Sequence, residues 1–298
     1  MHHHRIIGAA PFVIAMGLAA CSVKEAPSTT DTGAAAAAAT AAAPQSSPNV
    51  VHVIAKDYSF DSPAQIPAGL TTFHLMNQGK EAHQAGLIKL TEGKTFEDFM
   101  AAFKAMKPNT PPPAWVVFDG GPNAAAPGGT SEATETLEAG NYVLVCFIPS
   151  SDGIPHIMKG MSRGLVVTPS TAAPASEPTP TSTMTLSDYK FDVSSPLKSG
   201  QNIVRVENAA DQPHEVVVFK LAPGKTIKDF QKWLPVSDKD PNVPAIPSGG
   251  VVGLSKGLHA FFTANLDAGD YVLVCFLQDA KDGKPHFAHG MLQEFKVP

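Results

Sequence analysis

The chain has 298 residues, of which 43% are hydrophobic and 16% charged, and its net charge is −5 at pH 7. That length accommodates two ordinary domains once an N-terminal segment is set aside, and the apolar content allows two modest cores. No basic block interrupts the spread of charge, which argues against nucleic acid as a partner.

Residues 1–21 read as an export signal. His2, His3, His4 and Arg5 form a polar, basic start, followed by the apolar stretch IIGAAPFVIAMGLAA. The stretch is too short for a comfortable membrane span and ends in small residues, as a cleaved signal does. Its last residues, Leu18-Ala19-Ala20-Cys21, resemble the lipobox of bacterial lipoproteins. The resemblance implies cleavage before Cys21, lipidation of that residue, and a lipid-anchored protein in a bacterial cell envelope, on its periplasmic or extracellular face. Residues 22–49 are mostly Ala, Thr, Ser and Pro. Such a stretch buries too little surface to fold and is expected to be a disordered tether.

A first domain is expected over 50–168. HVIAKDYSF, TTFHLMN, HQAGLIKL, WVVFDGG, ATETLEAG, NYVLVCF and GLVVT are short, rich in β-branched or aromatic residues, and separated by Gly, Asn, Pro and Asp. These are strand signals. One helix is expected at 95–106, where Phe96, Phe99, Met100 and Phe103 fall at helical spacing after Thr95. Residues 169–182 are Pro-, Thr- and Ala-rich and are expected to form an extended linker.

The remainder, 183–298, repeats the first domain. KDYSFD (56–61) matches SDYKFD (187–192), and FHLMNQGKEAHQAGLIKL (73–90) matches VRVENAADQPHEVVVFKL (204–221), both 131 residues on. TETLEAGNYVLVCF (134–147) matches TANLDAGDYVLVCF (263–276) at a shift of 129. A whole domain is duplicated, and about seven strands per copy predict two tandem all-β Greek-key sandwiches, each with a short helical insertion.

The chemistry lies in a set of residues that appears in both copies in the same order. In the first, His83 follows Asn77 by six residues, Cys146 closes the YVLVCF strand, and His156 and Met161 bracket the next loop. In the second, the set is His214 after Asn208, then Cys275, His286 and Met291. A thiolate, two imidazoles and a thioether are the donors of a mononuclear copper electron-transfer site. Each residue alone has an ordinary explanation, as a core thiol, a surface imidazole or a packing methionine. Their recurrence as an ordered set is what points to a metal.

At these residues the chain resembles the cupredoxins, the plastocyanin-like blue copper proteins. NAADQPHEVVVF (208–219) is similar to the family's first-ligand segment, and HIMKGMSRGLVV (156–167) and HFAHGMLQEFKV (286–297) resemble its His-x4-Met segment. The resemblance implies a cupredoxin-like sandwich in each copy and one copper per domain. The ligands it implies are His83, Cys146, His156 and Met161 in the first, and His214, Cys275, His286 and Met291 in the second. One feature departs from the pattern. The Cys-to-His loop holds nine residues in the first copy and ten in the second, longer than in small electron-transfer cupredoxins. Such a loop is expected to cover the imidazole edge or to reshape the site.

Other residues carry less. Cys146 and Cys275 sit in equivalent strands of separate domains, and a disulfide between them would require the strand ends to face each other within about 7 Å between Cα atoms. His52, His74 and His259 have no counterpart across the repeat and read as surface or strand residues; His289, three residues after His286, is within reach of the metal by spacing, but the first copy has Lys159 there. The duplicated Asp57-Tyr58, Asp188-Tyr189, Tyr142 and Tyr271 read as structural. The oxidases and nitrite reductases built from this domain type need further histidines for a second copper centre. Here Val145 and Val274 precede the cysteines and the mature chain has no His-x-His pair, so the sequence predicts no enzyme activity. The function expected is that of a membrane-anchored electron carrier with an unnamed redox partner. The alternatives are a copper-binding or copper-delivering lipoprotein without redox cycling, and a metal-free structural surface lipoprotein.

Overall fold

The computed structural model describes residues 46–107, 110–237, 239–240 and 242–298. The expected signal, most of the tether and the lipidation site Cys21 lie outside the described residues. No helix among the described residues is long and apolar enough to cross a membrane.

The first half contains strands β1 (Asn49–Lys56), β2 (Ser59–Asp61), β3 (Gln65–Pro67), β4 (Gly69–Asn77) and β5 (Gly86–Leu90), then helix α1 (Phe96–Ala105). It continues with β6 (Val116–Phe118), β7 (Thr130–Leu137), β8 (Gly140–Val145) and β9 (Ser162–Thr168). The second half contains β10 (Ser182–Ser187), β11 (Lys190–Val193), β12 (Gly200–Asn208), β13 (His214–Leu221), helix α2 (Ile227–Trp233), β14 (Ala245–Leu254), β15 (His259–Leu266), β16 (Gly269–Val274) and β17 (Leu292–Val297). The fold is all-β, and each half is a two-layer sandwich.

Alternation along β8 shows how one strand serves two layers. Tyr142 and Leu144, with Cys146 beyond them, point into the core between the sheets, while Val143 and Val145 point to the opposite face. There α1 covers them with Phe99 and Phe103. A strand buried on both faces reads as an unbroken apolar run, as YVLV does. β16 repeats the arrangement, with Tyr271, Leu273 and Cys275 inward and Val272 and Val274 under α2 residues Phe230 and Trp233. Both helices open on a capping box, Thr95 with Asp98 and Thr226 with Asp229, which satisfies amide hydrogens that would otherwise lack a partner.

The two sandwiches are joined edge to edge. Strands β2, β1, β4 and β7 of the first half continue through β15, β12, β10 and β11 of the second as one eight-stranded sheet. At the seam Ala133 pairs with Phe262 and is flanked by Thr134↔Phe261 and Glu132↔Thr263. Ala133 and Phe262 are each other's counterparts at the repeat shift of 129. A second seam joins the other layer, where Pro122 pairs with Val251, also 129 residues on, flanked by Asp119↔Leu254 and Ala125↔Ser248. Equivalent strands therefore pair antiparallel about their own equivalent residues. This is a pseudo-twofold axis, the intrachain form of an isologous contact.

Glycines make the second seam possible. Gly121 and Gly250, again counterparts, have φ of 92° and 118°. A Cβ at Gly121 would lie 2.2 Å from the Ala85 carbonyl oxygen, and one at Gly250 2.0 Å from that of Val216. Only a residue without a side chain allows that approach.

Candidate metal centres

In the first half His83 precedes β5, Cys146 follows β8, His156 opens a 3-10 turn over His156–Lys159, and Met161 stands just before β9. Backbone hydrogen bonds hold the last three together. The His156 amide donates to Ile148 O at 2.9 Å, that of Ile157 to Cys146 O at 2.9 Å, that of Met161 to His156 O at 2.9 Å, and that of Cys146 to Met161 O at 3.2 Å. The second half repeats them: His286 to Leu277 at 2.8 Å, Phe287 to Cys275 at 3.0 Å, Met291 to His286 at 3.0 Å, and Cys275 to Met291 at 3.3 Å. Asn77 and Asn208 secure the remaining ligand loop. The Asn77 side-chain amide donates to Glu81 O at 2.7 Å and Ala125 O at 2.9 Å, and that of Asn208 to Gln212 O at 2.9 Å and Leu254 O at 2.8 Å.

The structure brings His83, Cys146 and His156 together, and likewise His214, Cys275 and His286, with donor atoms in each trio all within 4.8 Å of one another. Met161 and Met291 are fully buried in the same core clusters as the cysteines. His83 Nδ1 and His156 Nδ1 are 3.1 Å apart, and Cys146 Sγ is 3.3 Å from His156 Nδ1. Cys275 Sγ is likewise 3.3 Å from His286 Nδ1. Both cysteines are buried and free, so no disulfide joins them.

Hydrogen bonds on the far side of each ring fix its tautomer. His83 Nε2 lies 3.1 Å from Asp57 Oδ1, His156 Nε2 2.7 Å from Glu81 Oε2, His214 Nε2 2.9 Å from Asp188 Oδ1, and His286 Nε2 3.2 Å from Gln212 Oε1. Each acceptor requires a proton on Nε2, which leaves the Nδ1 lone pair facing inward. Two such lone pairs 3.1 Å apart beside a thiol sulfur repel unless a cation lies between them. His214 Nδ1 is buried without a hydrogen-bond partner, as an atom reserved for a metal would be. The Gln84 and Glu215 amides each donate to the sulfur, at 3.5 Å from Cys146 Sγ and Cys275 Sγ. Soft sulfur with two neutral imidazoles is a copper donor set, and each trio fits one copper ion.

Burial sets the protonation of the metal-free trios. It pushes the Cys146 thiol up to about 12 and Cys275 well above its ordinary value. It pulls His286 down to about 4 and lowers His83, His156 and His214 as well. The imidazoles are thus neutral and ready to bind, and a metal must displace a proton from each thiol.

Several residues read as structural, or not singled out at all, belong to the sites. Asp57 and Asp188 orient ligand imidazoles. Tyr58 and Tyr189 have φ of 66° and 65°, unusual for bulky residues, and their rings stand edge-on to His156 and His286 at 5.3 and 5.6 Å. The duplicated Asp-Tyr pair was the available signal. The long Cys-to-His loops supply Ser150, whose hydroxyl donates to Glu81 at 2.9 Å, and Asp279, which accepts from Tyr189 and from Gln212. Glu81 and Gln212 gave no signal, because the copies differ there. His289 lies outside the trio; it stacks on Tyr189 at 4.8 Å and bonds Asp282 at 3.1 Å. Its neighbours Asp279 and Asp282 form a third, largely exposed group with it. A cleft of about 1450 Å³ between the halves is lined by residues that flank both trios, among them Ala82, Phe147, Pro155, Pro213, Phe276 and Phe287.

No protein-family model matches the chain, and no curated protein matches it. Solved structures do match. Auracyanin A, a blue copper protein of Chloroflexus aurantiacus, is 23% identical over 41% of this chain and all of its own, with a TM-score of 0.29. A blue copper oxidase from Nitrosomonas europaea is 15% identical over 84% of this chain and 86% of its own, with a TM-score of 0.25. A copper-containing nitrite reductase from Thermus scotoductus is 12% identical over 84% of this chain and 61% of its own, with a TM-score of 0.23. The matches that span both halves are to enzymes, and they overturn the expectation that the chain has no enzyme activity. Both halves of the chain have a cupredoxin-like fold, and each holds a His–Cys–His group that fits one copper ion.

Proposed function

We propose that the chain is an exported, lipid-anchored copper protein that takes up and releases one electron at each of two mononuclear, type 1-like sites. The observation that carries this reading is the preformed trio in each half, with an acceptor on the outer nitrogen of each ring and an amide hydrogen behind the sulfur. Copper, when bound, supplies the one-electron couple. The protein's residues would hold the ion: Cys146 or Cys275 would supply the thiolate ligand, and the paired imidazoles of His83 and His156, or of His214 and His286, the nitrogen ligands. Met161 and Met291, buried beside the cysteines, would supply a thioether as the fourth, weaker ligand. Rigid strands and hydrogen-bonded turns limit rearrangement when the charge changes, which favours fast transfer.

The signal-like N-terminus and Cys21 support anchoring at the outer face of a bacterial membrane, with a redox protein there as partner. The apolar cleft beside both sites supports exchange with that partner. The names of the oxidase and reductase neighbours make reduction of oxygen or nitrite by this chain a reading to be assayed alongside.

The test uses the chain without residues 1–21, loaded with copper(II). Intense thiolate-to-copper absorption is expected, bleached by reduction and halved by Cys146→Ala or Cys275→Ala. Stoichiometric binding without that absorption would favour copper delivery, and no binding would leave a structural lipoprotein. Consumption of oxygen or nitrite by the reduced protein would make it an enzyme.

A further inference from the structure

The two sites are near copies, which makes each an internal control for the other. Asp57 and Asp188 bond the first imidazole in both, the tyrosine stands over the second imidazole in both, and the same amide reaches the sulfur in both. The acceptor on the second imidazole differs. Glu81 accepts from His156 Nε2 at 2.7 Å, whereas its counterpart Gln212 accepts from His286 Nε2 at 3.2 Å. The orientation of the Gln212 amide is fixed: its nitrogen donates to Asp188 Oδ1 and Asp279 Oδ2, both at 3.1 Å, so its oxygen must face the ring. Site 1 thus offers a carboxylate to the ligand, and site 2 a neutral amide.

A carboxylate on the outer N–H of a metal-bound imidazole makes the ring a stronger, more anionic donor. A more anionic ligand set favours the higher metal charge, and with it the oxidised state. The hydrogen bond is also shorter in site 1, as charge-assisted bonds are. We propose that Glu81, acting through His156, holds site 1 at a lower reduction potential than site 2. The inference rests on the reading of both trios as redox copper sites. Its consequence is a direction. With copper bound at both sites, transfer of one electron from a reduced site 1 to an oxidised site 2 would be the downhill direction, oxidising the first and reducing the second. An external one-electron donor supplies the next electron to site 1.

Three differences act the other way. Asp279 stands in site 2 where site 1 has Ser150, and Lys159 in site 1 where site 2 has His289, but they bond Gln212 and Tyr58 and no ligand imidazole. Site 2 also has Glu215 where site 1 has Gln84, so the Glu and Gln on either side of the ligand His are exchanged between copies. Glu215 accepts from the Phe276 amide at 3.1 Å and from Asn123 of the other half at 3.2 Å. Its carboxylate is spent on those donors and bonds neither imidazole, whereas that of Glu81 bonds a ligand directly. Glu81 is therefore the stronger influence, acting as a positioning and tuning residue.

The test is the potential of each site in the full mature chain, read separately by replacing the other site's cysteine (Cys275→Ala to read site 1, Cys146→Ala to read site 2). Spectroelectrochemical titration should place site 1 below site 2. Glu81→Gln should raise site 1 by at least about tenfold in the one-electron equilibrium, about 59 mV, and Gln212→Glu should lower site 2 by a similar factor. The Gln212 variant lies in the other half, so a folding defect in one variant leaves the other decisive. An unmoved potential in Glu81→Gln would overturn the proposal, as would a Glu215→Gln shift at site 2 equal to or larger than the Glu81→Gln shift at site 1. Absence of thiolate-to-copper absorption in the unsubstituted chain would overturn the underlying copper reading, and this proposal with it, and is seen before any potential is measured.

Discussion

Asp57 and Asp188 show how much of a metal centre is built by residues that never touch the metal. Among the described residues each is the only carboxylate bonded to the first imidazole of its site, and each presents that ring with its lone pair inward. Outer partners of this kind are worth about 10–100-fold in metal affinity. Asp57→Asn should therefore weaken copper binding at site 1 by about that factor and leave site 2 unchanged, as measured by chelator competition with each site isolated. Equal weakening of both sites would show that the residue acts on the fold and not on the ring. The neighbouring Tyr58 and Tyr189 fit the same logic. A left-handed backbone at a bulky residue costs about 1–3 kcal/mol and persists where the surroundings hold it. Here it brings an aromatic ring edge-on to a ligand imidazole.

At the scale of elements, the turn between His156 and Met161 is closed by Gly160, with φ of 108°. A Cβ there would meet nothing nearer than Tyr58 O at 3.8 Å, whereas one at Gly121 would lie 2.2 Å from Ala85 O. Gly160→Ala should then cost only the backbone penalty, about 1–3 kcal/mol, in urea unfolding. Gly121→Ala should cost more, because it forces two backbones apart; equal losses would argue against this distinction.

The elements also show what could be read in the sequence. The YVLVCF strands, the helix after Thr95 and the His–Cys–His sets were legible because periodicity and duplication each leave a local mark. The hydrogen-bonding shell was only half legible. Asp57-Tyr58 appears in both copies but resembles an ordinary hairpin turn, and Glu81 with Ser150 against Gln212 with Asp279 is invisible to any comparison that looks for sameness. The seams were not legible at all. Pairing between β7 and β15 is made by backbone groups, and a central strand differs little in sequence from an edge strand when the partner is a copy of itself.

At the scale of the whole molecule, the joined sheets bury an acid between the halves. Glu135 of β7 has both carboxyl oxygens buried without a well-formed hydrogen bond, the Gly121 amide offering only a weak one, and Gly120, Leu254 and Ala260 surround the same point. Burial, with Asp119 adding like charge, raises its pKa well above the ordinary Glu value of 4.5. Burial also raises Asp119 to about 6. Both groups keep a proton in the folded protein that the unfolded chain releases, so the folded state is favoured most below the ordinary carboxylate range. That advantage is lost as pH rises through their folded values. Glu135→Gln removes one of the two. It should lose less stability than the parent between pH 5 and pH 8, read as the change between urea midpoints at the two pH values. A variant with the same pH dependence as the parent would place the acid's titration elsewhere.

The pseudo-twofold axis has a consequence for how the two centres can differ. Two identical chains meeting through the seams seen here would form a homodimer with matching sites, and any substitution in one would appear in the other. Fusion of the copies into a single polypeptide lifts that constraint. Glu81 can face Gln212, and Asn123 can reach Glu215 while its own counterpart is Val252. A symmetric dimer starts with equivalent centres; a fused one can carry a gradient in its covalent sequence.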